Sequence, residues 1–280
     1  MKLALGTAQF GLDYGVTNQY GQVAVGEIKR ILSYATYIGI DTLDTASGYG
    51  KSEEVLGEIG INEYQIITKT TPIKNGVNEA IKCFYLSLDR LNIDQVEGLL
   101  IHNFDDVMDK RFIGLYKKLN QLKEEGVLKK IGFSTYSPEQ VDFLLKNFDF
   151  DMIQVPFNVF DIRLASGGQL KALKMKNIEI HARSVFLQGV LLSFDKLSDY
   201  FSTWHMQFER YQAMVKDREL SLLEYALNFA LNTQELDKVL VGICSENQLR
   251  EIACAAKKQI NIEAYPIDDL KLLNPSNWSL

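Results

Sequence analysis

Four ionisable side chains, Asp44, Tyr49, Lys69 and His102, fall at or just past the ends of hydrophobic, strand-like runs. These runs read Asp41-Thr42-Leu43-Asp44 leading into Thr45-Ala46-Ser47-Gly48-Tyr49-Gly50, then Ile66-Ile67-Thr68-Lys69, then Leu99-Leu100-Ile101-His102. A charge at the end of a buried strand must be compensated, and chemistry is the usual reason to keep one there. The four types complement one another. A phenol with an ordinary pKa of about 10 gives up its proton more readily beside a cation, which Lys69 can supply. Lys69 in turn needs a counter-charge, which Asp44 supplies, and His102 can hydrogen-bond a substrate oxygen in either protonation state. This set fits proton transfer to a carbonyl oxygen, and it lacks the second acid across a scissile bond that glycoside hydrolysis requires. Proton donation reduces nothing by itself, so a hydride source is implied, and a nicotinamide nucleotide is the candidate.

The elements that must position these residues repeat along the chain. Short apolar runs alternate with amphipathic stretches eight times, with strands expected over Lys2–Leu5, Ile40–Leu43, Tyr64–Thr68, Val96–Ile101, Lys130–Phe133, Met152–Val155, Ile178–Ala182 and Lys238–Val241. Helical patterns lie between them, over Glu27–Tyr37, Val77–Leu91, Phe112–Glu124 and Glu219–Leu231. Eight such units with mostly apolar strands call for an α/β fold closed as a parallel (β/α)8 barrel, one domain over residues 1–280. An open doubly wound sheet would announce itself with a Gly-rich turn after the first strand, and Gly6-Thr7-Ala8-Gln9-Phe10-Gly11 is not GxGxxG. In a parallel barrel all the βα loops face one mouth, so Asp44, Tyr49, Lys69 and His102 should converge there. The stretch from Leu187 to Gln207 reads as a loop over that mouth.

Composition narrows the function classes. The 280 residues are 46% hydrophobic and carry a net charge of −6, with basic residues in nothing longer than doublets such as Lys129-Lys130 and Lys257-Lys258. Nucleic acid and anionic membrane are therefore poor partners, and no docking segment for a protein partner stands out. The three cysteines, Cys83, Cys244 and Cys254, show no CxxC or CxxH spacing, so neither a disulfide framework nor a metal site is expected. His181 and His205 read as structural residues and Cys244 as a small apolar filler. No leader-like h-region precedes the first strand and no window is apolar enough for a membrane span, which makes a cytoplasmic protein the expectation.

Two capping signatures mark helix starts after strands five and eight, Ser137-Pro138-Glu139-Gln140 and Ser245-Glu246-Asn247-Gln248. The second lies where barrels of this kind commonly hold a phosphate on free helix N–H groups.

The segment Asp44-Thr45-Ala46-Ser47-Gly48-Tyr49-Gly50, followed by Ser52-Glu53 and Leu56-Gly57, together with Lys69 and Leu100-Ile101-His102, resembles the aldo-keto reductase superfamily. The resemblance runs from Leu5-Gly6-Thr7 to the helix after Ser245 and requires several separated segments in the right order. It implies a TIM barrel and an NAD(P)-dependent oxidoreductase acting on an aldehyde or ketone, sugars included, with Tyr49 as general acid and Asp44, Lys69 and His102 as its partners. It also implies cofactor contacts from Gly6, Thr7, Ser134, Gln154, Arg183, Gly242, Ser245 and Gln248, with Ser134 and Gln154 at the carboxamide.

Three departures from the family pattern stand out. Thr135 replaces the Asn of many relatives. Arg183 occupies the place where many relatives stack an aromatic ring on the nicotinamide; a guanidinium plane can also stack, but its charge opposes the oxidised, positive ring. Relatives that prefer NADP carry Lys or Arg in the segment matching Gly242 to Gln248, which here reads Gly-Ile-Cys-Ser-Glu-Asn-Gln, with Arg250 the one base nearby. Glu246 would repel a 2′-phosphate, so NADH is expected to bind at least as well as NADPH. Phe10, Tyr14, Tyr200, Phe201, Trp204 and Trp278 are expected to rim the mouth around a small-molecule carbonyl substrate. The alternative is a nicotinamide-nucleotide-binding regulatory or channel-associated subunit, against which a complete set of four weighs.

Overall fold

Every second residue of a barrel strand faces the axis, so the apolar runs divide into an outer set that meets helices and an inner set that must fill a narrow core. In the computed structural model, which describes residues 1–195, 197–258 and 260–279, eight parallel strands close in sequence order. They are β1 (Leu3–Gly6), β2 (Thr42–Asp44), β3 (Gln65–Lys69), β4 (Val96–Ile101), β5 (Leu128–Ser134), β6 (Met152–Pro156), β7 (Glu179–Arg183) and β8 (Lys238–Gly242), with β1 pairing β8. Residues such as Leu5, Leu43, Ile66, Leu99, Ile101, Phe133, Ile153 and Val241 pack outward into the large core shared with the helices.

Inside, Ile67, Leu100 and Met152 form a separate apolar layer. Glycine makes room for it. A Cβ on Gly98 would come within 2.5 Å of the Met152 sulfur, and one on Gly132 within 2.7 Å of Leu100 Cδ2. Below this layer the barrel is ionic, with Glu179 between the Lys130 ammonium at 2.6 Å and the His181 ring nitrogen at 2.7 Å. His181 is accordingly structural, as expected, and His205 is exposed and paired with Glu209.

The helices follow in chain order as α1 (Ala8–Gly11), α2 (Val25–Tyr37), α3 (Ser52–Ile59), α4 (Val77–Leu91), α5 (Phe112–Glu124), α6 (Pro138–Asn147), α7 (Arg163–Ser166), α8 (Gln169–Met175), α9 (His205–Asp217), α10 (Leu222–Asn232), α11 (Glu246–Ala255) and α12 (Leu270–Leu273). Strand β4 and helices α4 and α5 coincide with the sequence expectation. The helix expected from Glu219 begins three residues later, because Glu219 adopts a left-handed φ of 55° and Ser221 caps the helix in a reciprocal box with Glu224. Ser137 and Ser245 cap α6 and α11, but the Gln partners reach one residue further back. Gln140 Oε1 accepts from Tyr136 N–H and Gln248 Oε1 from Cys244 N–H, each at 2.7 Å.

The stretch from Leu187 to Gln207 is not one loop over the mouth. Its first part is a 3-10 segment, Leu187–Leu192, beside the barrel mouth. Its second, Asp199–Trp204, turns away and packs on the C-terminal tail through Tyr200, Trp204 and Trp278. No described helix is long and apolar enough to cross a membrane.

Candidate active site

Asp44 closes β2, Lys69 closes β3, His102 follows β4 by one residue, and Tyr49 sits in the turn between β2 and α3, so all four reach the carboxyl end of the barrel. Lys69 is 3% exposed and its ammonium donates to Asp44 Oδ1 at 2.6 Å and to the Thr45 carbonyl at 2.9 Å. It lies 4.9 Å from the centre of the Tyr49 ring, and Tyr49 meets His102 edge-on with ring centres 6.3 Å apart. Burial works against the Lys69 ammonium, but the Asp44 carboxylate and the Tyr49 phenol outweigh it, so the lysine pKa ends above its ordinary value. Burial and then the Lys69 charge push His102 down to about 4, which leaves a neutral imidazole at pH 7.

Glycine and hydroxyl contacts hold the Tyr49 turn. Gly50 has a φ of 56°, open to glycine, and its Cα side lies against the Gly11 carbonyl. Ser52, fully buried at the start of α3, donates to Thr7, and Thr7 donates in turn to the Asp44 carbonyl at 3.0 Å. Thr7 thus ties β1 to β2 directly beneath the carboxylate.

A groove of about 620 Å³ runs from these residues across the barrel mouth to α11. Gly6, Thr7, Ser134, Gln154, Arg183, Gly242 and Gln248 line it; Ser245 does not, its hydroxyl being taken up by the Gln248 N–H as the α11 cap. Gln154 Nε2 donates to Asp44 Oδ2 at 2.7 Å, so this amide joins the Asp44–Lys69 pair to β6. Arg183 donates to the Thr135 carbonyl and to Ser184 Oγ, and its guanidinium lies 4.0 Å above the Tyr136 ring. Thr135 itself is buried and outside the groove.

The expected aromatic rim is largely absent. Tyr14 does line the groove, where burial raises its phenol pKa, but Phe10, Phe201 and Trp204 are 0%, 2% and 4% exposed and belong to the core. Tyr20 and Tyr136 line it instead. Nothing in their sequence spacing distinguishes these rings, because a loop aromatic has no period to read.

Two further features of the groove escape the sequence. The turn from Ser184 to Gly189 holds Ser184, Leu187, Gln188 and Gly189 at positive φ, a cluster that only Gly189 foreshadows. Val185 and Phe186 face the groove in this turn, and no acceptor for their backbone N–H groups is found among the described residues. Successive backbone N–H groups in turns of this kind are the ones anions use in nests. At the other end, Glu27 of α2 accepts from the Glu246 N–H at 2.6 Å, so a carboxylate already occupies the α11 N-terminus. Arg30 pairs with Glu27, and Arg250 pairs with Glu246 while lying 4.0 Å over the Tyr34 ring. The two bases nearest this end are thus both matched by acids.

A closed parallel barrel with an acid–base cluster and an elongated groove at its carboxyl face defines a class of barrel enzymes. Residues 2–270 match the model of the aldo/keto reductase family. The chain belongs to the aldo/keto reductase family and is an oxidoreductase of it. It is 27% identical over 81% of its length to the uncharacterized oxidoreductase YqkF of Bacillus subtilis, covering 81% of that protein. It is 24% identical over 84% of its length to L-galactose dehydrogenase of Arabidopsis thaliana, covering 80% of it. Among solved structures, aldo-keto reductase AKR11C1 of Bacillus halodurans superposes with a TM-score of 0.72 over 92% of this chain and 87% of that one, at 20% identity.

Proposed function

We propose that the protein is an NAD(P)H-dependent carbonyl reductase in which Tyr49 is the general acid for an aldehyde or ketone substrate. The observation that carries this is the buried Lys69 ammonium, held between Asp44 Oδ1 at 2.6 Å and the Tyr49 ring at 4.9 Å. Neutral His102 presents an N–H to the substrate oxygen, and Tyr49 delivers the proton to that oxygen. The ammonium then stabilises the phenolate left behind, and Asp44 and Gln154 keep the ammonium in place. Bound NAD(P)H would supply the hydride. The groove supports that fit through its length, the free N–H groups of Val185 and Phe186 for a diphosphate, and Ser134, Gln154 and Gly242 along its floor.

Within this reading NADH binds at least as well as NADPH. A 2′-phosphate approaching α11 would meet Glu27, Glu246 and the groove-lining Glu251, with Arg30 and Arg250 already neutralised. Tyr49→Phe tests the mechanism, because it removes only the hydroxyl. Turnover of an aldehyde panel should fall by about 10²–10⁴-fold while NADH still binds by fluorescence titration. Undiminished turnover would remove Tyr49 from the role. A wild-type protein that binds NADH and reduces none of the panel would favour the nucleotide-sensing subunit.

A further inference from the structure

The charges at the catalytic end of the groove do not cancel. Lys69 is matched by Asp44, whereas Arg183 has only neutral partners among the described residues: the Thr135 carbonyl at 3.0 Å, Ser184 Oγ at 3.2 Å and the Tyr136 ring. Beside them His102 and Tyr14 are uncharged at pH 7, and both feel the Arg183 charge. Among the described residues, Glu251 is the one other charged side chain on the groove wall, and it lies at the α11 end. Among the described residues the catalytic end therefore carries one unbalanced positive charge, fixed in place by two hydrogen bonds and the Tyr136 ring beneath it.

Hydride transfer brings the donor carbon to within about 3–3.5 Å of the carbonyl carbon whose oxygen faces Tyr49 and His102. The nicotinamide ring of a bound cofactor would consequently lie at the Arg183 end of the groove. That ring is neutral in NADH and positive in NAD⁺, while the phosphate charges of the two forms are the same. From this we infer that Arg183 makes the groove discriminate between the two oxidation states, holding NADH more tightly than NAD⁺ and committing the protein to reduction with ready release of the oxidised nucleotide. The inference rests on the nicotinamide reading above and adds to it a direction and a residue. A unit charge beside the ring at an effective dielectric near 20 is worth roughly ten- to a hundredfold in the ratio of the two affinities.

Equilibrium binding of NADH and NAD⁺ to wild type, Arg183→Gln and Arg183→Lys tests it without any substrate. Wild type should bind NADH at least about tenfold tighter than NAD⁺, and Arg183→Gln should reduce that ratio by about tenfold, mostly through tighter NAD⁺. Arg183→Lys, which keeps the charge and loses the fork and the plane, should retain most of the ratio. A wild-type ratio near unity, or a ratio unchanged in Arg183→Gln, overturns the inference and leaves the nicotinamide reading standing. Failure of wild type to bind either nucleotide overturns both.

Discussion

Gly11→Ala should disable the protein without replacing any residue of the acid–base cluster. A Cβ on Gly11 would stand 2.5 Å from the Ser52 nitrogen and 2.8 Å from the Lys51 nitrogen, with the Tyr49 carbonyl oxygen closer still. Ordinary Cβ contacts begin near 3.4 Å, and all three neighbours are backbone, so no side chain can swing aside to relieve the overlap. Either α1 or the Tyr49 turn must retreat by about 1 Å or more, and a displacement of that size at a reacting group costs about a hundredfold in rate. Overpacking adds a stability loss of about 1–3 kcal/mol, seen as a lowered melting temperature. The assay is kcat for aldehyde reduction alongside NADH titration and thermal unfolding. Gly26→Ala serves as control, since its added Cβ meets nothing within 4 Å and should leave all three unchanged or slightly improve stability. If the turn is what fails, Tyr49→Phe in the Gly11→Ala background should cost much less than it does alone. Wild-type kcat in Gly11→Ala would refute the close docking of the turn and the positioning argument built on it.

Two other perturbations follow from individual ion pairs. Glu27→Gln keeps an acceptor for the Glu246 N–H but removes the resident charge and frees Arg30, so NADPH affinity relative to NADH should rise several-fold to about tenfold in fluorescence titrations at low salt; an unchanged ratio would exonerate Glu27. The His181 ring, with Lys130, holds the Glu179 carboxyl at about 2 in place of its ordinary 4.5, so its contribution is complete above pH 4.5 and drains away as pH falls toward 2. Glu179→Gln should then cost about 2–3 kcal/mol in urea unfolding at pH 7 and less than half as much at pH 3, whereas an equal loss at both pH values would contradict the shift.

The architecture was legible because it rests on period. The inner and outer faces of the strands alternate, and β4, α4 and α5 have the bounds that their apolar spacing marks. Asp44, Lys69 and His102 were legible for a related reason, being ionisable residues stranded at the ends of apolar runs. Two kinds of information were not. Left-handed backbone at Ser184, Leu187 and Gln188 has no residue-type signature, so this turn beside the groove could not be read, and Glu219 delays the start of the helix expected from it by conformation rather than composition. Contacts between distant elements were equally silent: Glu27 looks like an ordinary first-turn acid of α2 until the barrel brings it onto α11. The aromatic rim failed because Phe10, Phe201 and Trp204 are buried in packing that no local pattern reports.

One stretch, from Thr7 to Val23, contributes lining to the groove and reaches both the Tyr49 turn and the α11 end. Its Thr7 hydroxyl holds the Asp44 carbonyl and its Gly11 backs the Tyr49 turn. Gln9 leaves no space beside Gly242, where an added Cβ would meet the Gln9 amide at 2.6 Å. Further on, Thr17 lies against Gly189 of the left-handed turn, and Cys244 Sγ donates to Asn18 Oδ1 at 3.5 Å. The residues proposed for the chemistry therefore sit at strand ends and the acids Glu27 and Glu246 on outer helices, but a single segment runs between them. Substitutions on α2 or α11 should alter the charge at the far end without disturbing the Lys69–Asp44 pair, because among the described residues no hydrogen bond joins Glu27 or Glu246 to that pair. Substitutions in the Thr7 to Val23 segment have no such freedom: a shift that widens the groove at Gly189 is transmitted through α1 to the turn that carries Tyr49. Binding and proton transfer should be inseparable there, with both affinity and rate moving together in any variant that moves the segment's backbone.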